Sequence, residues 1–200
     1  MAIKTTQNYS PNFNTKKRIS KQIKFIIFHY TGMKKESEAI NRLTEIQSEV
    51  SCHYLIKNNG EIITMVPDLY IAWHAGSSSW GNYKSLNNNS IGIEISNPGH
   101  MFGYKKFSKK QIASLLQLSK FLIKKYKINS KNILGHSDIA PERKKDPGEK
   151  FPWKYLSLNK VGKWHRIKTQ ELLKVRMIKT TKVEKNLFFK NLFKIGYSKK

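Results

Sequence analysis

Residues 135–153 read Gly-His-Ser-Asp-Ile-Ala-Pro-Glu-Arg-Lys-Lys-Asp-Pro-Gly-Glu-Lys-Phe-Pro-Trp. Pro141, Pro147, Gly148 and Pro152 keep this stretch out of a helix interior or a central strand, so it is a shaped loop. A stiff loop carrying His136, Asp146, Arg143 and Lys144 suits a site rather than a tether. Imidazole and carboxylate are donors for a divalent cation such as zinc. A further donor comes from far upstream. Residues 23–28 form an almost unbroken apolar run, the pattern of a buried strand, and it ends in His29-Tyr30-Thr31-Gly32. The C-terminal ends of core strands are where open sheets carry their sites. Two His and one Asp, with one coordination position left open, suit a catalytic metal, whereas structural zinc is closed by four donors, usually including Cys. The plainer alternative is that His136 ends a strand and Asp146 caps the segment after Pro147.

Other residues offer chemistry less directly. Glu94 lies in Ser-Ile-Gly-Ile-Glu-Ile, and a carboxylate among isoleucines is costly unless it is used or paired. His74, beside Trp73 and the small Ala75-Gly76, reads as groove lining. Trp73 either packs on a sugar or peptide or belongs to the core. Arg143 either meets a substrate carboxylate or is solvated. His53 follows Cys52, but neighbours on a strand point to opposite faces, which disfavours a Cys/His dyad and makes His53 a core or supporting residue. His100 and His165 carry no partner signal and read as surface or packing residues.

These side chains need elements to position them. Residues 1–22 read as an extended polar arm. Residues 36–47 place Ala39, Ile40, Leu43 and Ile46 at helical spacing. Residues 51–57 and 61–66 flank Asn58-Asn59-Gly60, a strong hairpin signal. Residues 75–90, rich in Gly, Ser and Asn, read as a long loop lining a groove. Residues 91–96 are a central strand, Ser108 caps a helix running to about Tyr126, and residues 132–134 are a last short strand before the loop. Residues 151–156 make a helical turn. Beyond Trp164, residues 169–177 and 183–195 read as basic helices.

Five blocks occur in order: His29-Tyr30-Thr31-Gly32, Ser51-Cys52-His53-Tyr54-Leu55-Ile56, Ala72-Trp73-His74-Ala75-Gly76, Ser90-Ile91-Gly92-Ile93-Glu94-Ile95, and the loop after Gly135. Together they resemble the zinc-dependent N-acetylmuramoyl-L-alanine amidases. That family includes muropeptide-recycling and outer-membrane amidases and is related to phage amidase lysozymes and peptidoglycan recognition proteins. The resemblance runs from about Ser10 to Trp164. It implies an α/β fold, a central mixed β-sheet flanked by helices, with residues 23–164 as the amidase domain. It implies one Zn2+ held by His29, His136 and Asp146, Glu94 as general base, and Lys144 as the cation that stabilises the developing oxyanion. The reaction implied is hydrolysis of the amide between the lactyl group of N-acetylmuramic acid and L-alanine. The partners implied are peptidoglycan fragments or muropeptides, with Trp73, His74 and Arg143 on the substrate side. A non-catalytic peptidoglycan-binding module is the alternative within the wider family. Such modules usually lack a zinc ligand, and all three candidate ligands are present here.

Composition bounds the rest. Two hundred residues suit one domain with an appendage. Thirty-eight basic against thirteen acidic residues give a net charge of +25. Nucleic acid is the first class such a charge suggests, yet the lysines are spread over the whole chain and no nucleic-acid motif accompanies them, so no nucleic-acid partner is expected. A single cysteine excludes an intrachain disulfide. Residues 1–22 contain no apolar core of a signal peptide, which makes the cytoplasm the default expectation, or the periplasm if the true start lies upstream. Residues 160–200 hold thirteen Lys/Arg and two Glu. As a basic amphipathic segment, residues 165–200 suit a cell-wall or membrane surface, or helices packed back on the domain.

Overall fold

The computed structural model describes residues 3–198, so the ends of the predicted arm and tail, residues 1–2 and 199–200, lie outside the described residues. The strands are β1 (Thr6–Gln7), β2 (Phe13–Asn14), β3 (Phe25–Tyr30), β4 (Tyr54–Ile56), β5 (Ile62–Thr64), β6 (Ile71–Ala72), β7 (Ser79–Trp80), β8 (Tyr83–Lys84), β9 (Ser90–Ile95) and β10 (Ile133–Gly135). The helices are α1 (Glu36–Thr44), α2 (Lys109–Tyr126), α3 (His136–Ile139), α4 (Trp153–Leu158), α5 (Thr169–Arg176) and α6 (Lys182–Ile195).

A six-stranded sheet runs β1-β5-β4-β9-β3-β10. Its neighbours are parallel except for β4 with β5, which form the expected antiparallel hairpin. The hairpin turns at Gly60, whose φ of +87° is one that a side chain disfavours. The sheet is therefore mixed, as expected.

The two faces of the sheet differ because strand side chains alternate. Ile91, Ile93 and Ile95 join Ile26 and Phe28 in the larger core cluster, against Leu115, Leu118 and Leu122 of α2. Each of those leucines is almost completely buried, which stabilises by about 1.5–3 kcal/mol per side chain. Helix α2 starts where Ser108 Oγ accepts from Gln111 N (3.1 Å) and Gln111 Oε1 accepts from Ser108 N (2.9 Å), a reciprocal cap. The opposite face receives the other half of each strand. The pairs Phe25↔Ser90, Ile27↔Gly92 and His29↔Glu94 put His29, Ser90, Gly92 and Glu94 on one surface.

Residues 3–22 are stitched into the domain. β1 pairs with β5, β2 pairs with β6, and the Asn12 amide donates to the carbonyls of Glu45 (2.8 Å) and Val50 (3.0 Å). At the other end, Tyr197 OH donates to Asp138 Oδ1 at 2.6 Å and its ring meets Trp80 edge-on. Leu173, Val175, Leu187 and Phe188 are more than half exposed on α5 and α6. Among the described residues no helix is long and apolar enough to cross a membrane.

Candidate active site

Parallel register builds the site. β10 lies beside β3, with Gly135 opposite Phe28, so the next residue, His136, emerges next to His29. His136 opens α3, a short helix that sequence periodicity did not reveal. The Gly135 amide is held by Asp138 Oδ2 at 2.7 Å, which fixes the exit from the strand. The loop then folds back, and Ser137 N donates to the Asp146 carbonyl at 2.8 Å. That bond returns Asp146 to the strand end.

The result is a tight triangle. His29 Nδ1 lies 2.9 Å from His136 Nδ1, and Asp146 Oδ2 lies 3.1 Å from the first and 3.0 Å from the second. All three side chains are buried. His136 Nε2 is 3.2 Å from the Ala75 carbonyl, which can only accept, and 3.4 Å from Arg143 Nη2, which can only donate; the shorter contact puts the proton on Nε2 and leaves a lone pair on Nδ1. Lone pairs converging this closely repel one another unless a cation lies among them. Zinc–donor bonds of about 2.0–2.1 Å in a tetrahedron put donors about 3.3 Å apart, close to the spacing here. The donor set therefore fits a divalent cation, and it is the group of His, Asp, Glu and Cys side chains that converges in this way among the described residues.

Electrostatics follow from burial. The His29 imidazolium is disfavoured by burial and then by His136, which lowers its pKa to about 4. Burial alone would raise the Asp146 carboxyl, but the two imidazoles packed against it, His136 and His29, outweigh burial and hold the group well below the usual carboxylate range. Glu94 projects from β9 beside His29, and its Oε2 is buried with no hydrogen-bond partner. Burial, then the Asp146 charge, push its pKa up to about 8, with Lys144 pulling it down. Lys144 also acts on His29.

A cleft of about 520 Å³ opens over these groups and is walled by Tyr30, Arg42, Trp73, His100, Lys144 and Lys145, among others. Trp73 stands on this wall with its indole N–H donated to Asn14 Oδ1 at 2.7 Å. His74 is buried at the cleft floor rather than on its rim, 3.0 Å from His29 through its Nδ1. Arg143 donates Nε to the Ser77 carbonyl at 3.0 Å and Nη2 to the carbonyls of Ser77 and Ala75, so its guanidinium braces the 75–77 loop at the edge of the cleft. His53 is fully buried, its Nδ1 accepting from Gly92 N at 3.0 Å. His100, read from sequence as a surface or packing residue, lies on the cleft wall between Tyr30 OH (2.9 Å) and Glu149 Oε2 (2.9 Å). The only sequence signal for it is the adjacent Gly99, whose φ is +68° and where a side chain would strike the Tyr30 ring.

Fold and site together define an α/β protein able to seat one divalent cation at the C-terminal ends of parallel strands, with a carboxylate and an ammonium group alongside in an open cleft. Residues 19–149 match the family described as N-acetylmuramoyl-L-alanine amidase, and the chain belongs to that family. It is 39% identical over 155 residues to the N-acetylmuramoyl-L-alanine amidase AmiD of Escherichia coli, covering 72% of this chain and 55% of that protein. It is 40% identical over 104 residues to the 1,6-anhydro-N-acetylmuramyl-L-alanine amidase AmpD of Citrobacter freundii, covering 52% of this chain and 54% of that one. The chain thus spans about half the length of these curated relatives. Among solved structures, AmiD of E. coli in complex with anhydro-N-acetylmuramic acid-L-Ala-D-gamma-Glu-L-Lys superposes with a TM-score of 0.76 at 34% identity, over 90% of this chain and 73% of that one. AMPDH3 of Pseudomonas aeruginosa in complex with an anhydromuramic pentapeptide gives 0.77 at 30% identity, over 95% and 80%.

Proposed function

We propose that this chain hydrolyses the amide joining N-acetylmuramic acid to L-alanine in peptidoglycan turnover fragments, with Zn2+ held by His29, His136 and Asp146. The observation that carries this reading is the convergence of three lone-pair donors beside a buried carboxylate oxygen, on Glu94, that has no partner within the protein. Bound there, the cation would polarise the scissile carbonyl, acidify its water and favour the ionised form of Glu94.

The protein's own groups supply the rest. Glu94 accepts the proton of the attacking water and hands it to the leaving amine nitrogen, a general-base and then general-acid role. Lys144 meets the carbonyl oxygen as negative charge develops on it. Trp73 and His100 offer flat faces on the cleft wall for sugar and peptide, and the surrounding positive charge suits the carboxylates of a stem peptide. His74 and Arg143 serve the substrate side indirectly, by holding His29 and the 75–77 loop in place. The relatives crystallised with anhydro-muropeptides support the substrate class.

The test is metal analysis of the purified protein coupled to digestion of purified anhydro-muropeptides, with release of free stem peptide as readout. Stoichiometric zinc and stem-peptide release are expected. Tight muropeptide binding without release would instead identify a recognition module.

For residues 165–200 we propose contact with an anionic wall or membrane surface. Exposed Leu173, Val175, Leu187 and Phe188 lie among lysines and arginines there, while Gly196 and Tyr197 near the end of the tail bond to Gly81 and Asp138 of the domain. Salt-sensitive sedimentation with sacculi or anionic vesicles, lost on removal of the segment, is the expected result.

A further inference from the structure

A hydrogen-bonded line leads from the backbone to the inner nitrogen of His29. Ser90 Oγ lies 2.6 Å from the Leu86 carbonyl oxygen. A carbonyl only accepts, so the single hydroxyl proton of Ser90 is spent on it. The same Oγ lies 3.1 Å from His74 Nε2 and, with its proton already used, can only accept from it. His74 Nε2 therefore carries a proton. His74 is buried, and its ring partners are Ser90 Oγ and His29 rather than a carboxylate; with its one ring proton already on Nε2, its Nδ1 is left with a lone pair. That lone pair faces His29 Nε2 at 3.0 Å. His29 must then place its proton on Nε2, and its Nδ1, at the donor triangle, is left bare.

We propose that Ser90 and His74 are positioning residues that fix the tautomer of His29, so that Nδ1 is held ready as a metal donor. This rests on the reading of His29 as a zinc ligand. Outer partners of this kind orient a ligating imidazole and raise its affinity for metal.

The fold holds the line rigidly. Backbone amides of His74 and Ala75 both donate to Asn87 Oδ1, at 3.0 and 2.7 Å. The His74 ring lies directly over Gly92, where any Cβ would overlap ring atoms. Ser90 is completely buried and His29 almost completely so. Ser90 lies at the start of β9; strand alternation puts it on the face of Glu94, but nothing in the sequence links it to His74.

The experiment reads tautomers and metal affinity separately. In 15N-labelled, metal-free protein, long-range 1H–15N imidazole correlations report which ring nitrogen of His29 is protonated. Native protein is expected to show Nε2–H, and Ser90→Ala a mixture of both forms. Zn2+ affinity, measured by competition with a chromophoric chelator, is expected to fall by about 10–100-fold in Ser90→Ala. His74→Asn, whose amide oxygen takes the place of Nδ1 as acceptor, is expected to retain more affinity than His74→Leu. Ser119→Ala removes another completely buried hydroxyl, one on α2 with no hydrogen-bond partner, and is expected to leave both readouts unchanged. The proposal is overturned if Ser90→Ala keeps a pure Nε2–H tautomer at His29, if it binds Zn2+ as tightly as native protein, or if Ser119→Ala weakens binding as much. Native protein that shows the fixed tautomer but takes up no Zn2+ would leave the relay standing and sink the metal reading instead.

Discussion

Glu94 is under two opposed demands. Burial favours its neutral form, with a pKa near 8, while the general-base role we propose for it needs the ionised form. A cation bound among the three neighbouring donors would resolve the conflict, because opposite charge close by favours the carboxylate. Glu94→Gln keeps the shape and removes the base. We expect a folded, zinc-loaded variant whose turnover falls by about 10²–10⁴-fold, and a near-native rate would remove Glu94 from the mechanism. Lys144 offers a second discrimination. A cation that stabilises the transition state lowers kcat when removed, whereas one that grips a substrate carboxylate raises KM. Lys144→Ala is expected to lower kcat by at least tenfold, with substrate binding and zinc little changed. Lys145→Ala takes the same charge from the next, more exposed position of the same loop. Equal losses from both variants would mean that general positive charge, rather than one positioned ammonium, is what the loop supplies.

β9 is the element on which the site depends most. Its sequence alternates Ser-Ile-Gly-Ile-Glu-Ile, so one face carries three isoleucines into the core and the other carries Ser90, Gly92 and Glu94 to the site. The small residue in the middle is required by space. The His74 ring occupies the volume that a side chain at 92 would need. Gly92→Ala should therefore displace His74 or bend the strand. Overpacking of this kind costs about 1–3 kcal/mol, and we expect a lower Tm together with weaker Zn2+ binding. A lower Tm with unchanged zinc affinity would show that the strand bends as a whole and leaves the His74–His29 contact intact. At the helix opposite, Ser108→Ala removes a cap and should cost about 1 kcal/mol without altering zinc binding, which separates stability from site geometry.

Acid should weaken the whole molecule. Burial holds His29 at about 4 and His53 at about 3, and pushes His74 well below the ordinary histidine value. Unfolded, each titrates near 6.5. From about pH 6.5 downward the unfolded chain binds protons that the folded chain refuses, so stability falls as pH falls. Glu94 has the opposite sign. Its raised pKa favours the folded state at low pH, and that advantage fades as pH rises from about 4.5 towards 8. Three groups outweigh one, and the Tm of metal-free protein is expected to drop between pH 7 and pH 5. A flat or rising Tm over that interval would mean that these histidines are protonated in the folded state. The tail belongs to the same scale. Tyr197 OH donates to Asp138, whose other oxygen holds the Gly135 amide before His136, so the end of the tail touches the segment that presents a candidate ligand.

Much of this was legible in residues alone. The apolar run before His29, the Asn-Asn-Gly turn, the capped helix from Ser108 and the Pro/Gly loop after His136 each declare themselves through local chemistry, and local chemistry is what sequence encodes directly. The family was legible because several short blocks recur in order. What local chemistry does not carry is register. That Gly135 pairs with Phe28 and His29 with Glu94 depends on how strands far apart in the chain align. Only that alignment brings His29, His136 and Asp146 within about 3 Å of one another. For the same reason Ser90 gave no sign of its contact with His74, and Arg143 none of its hold on the carbonyls of residues 75 and 77. The sequence by itself determined which side chains were available for metal chemistry. The tertiary structure decided which nitrogen of His29 and of His136 faces Asp146, because ring orientation is set by packing and hydrogen-bond partners, and these partners meet only when the chain is folded.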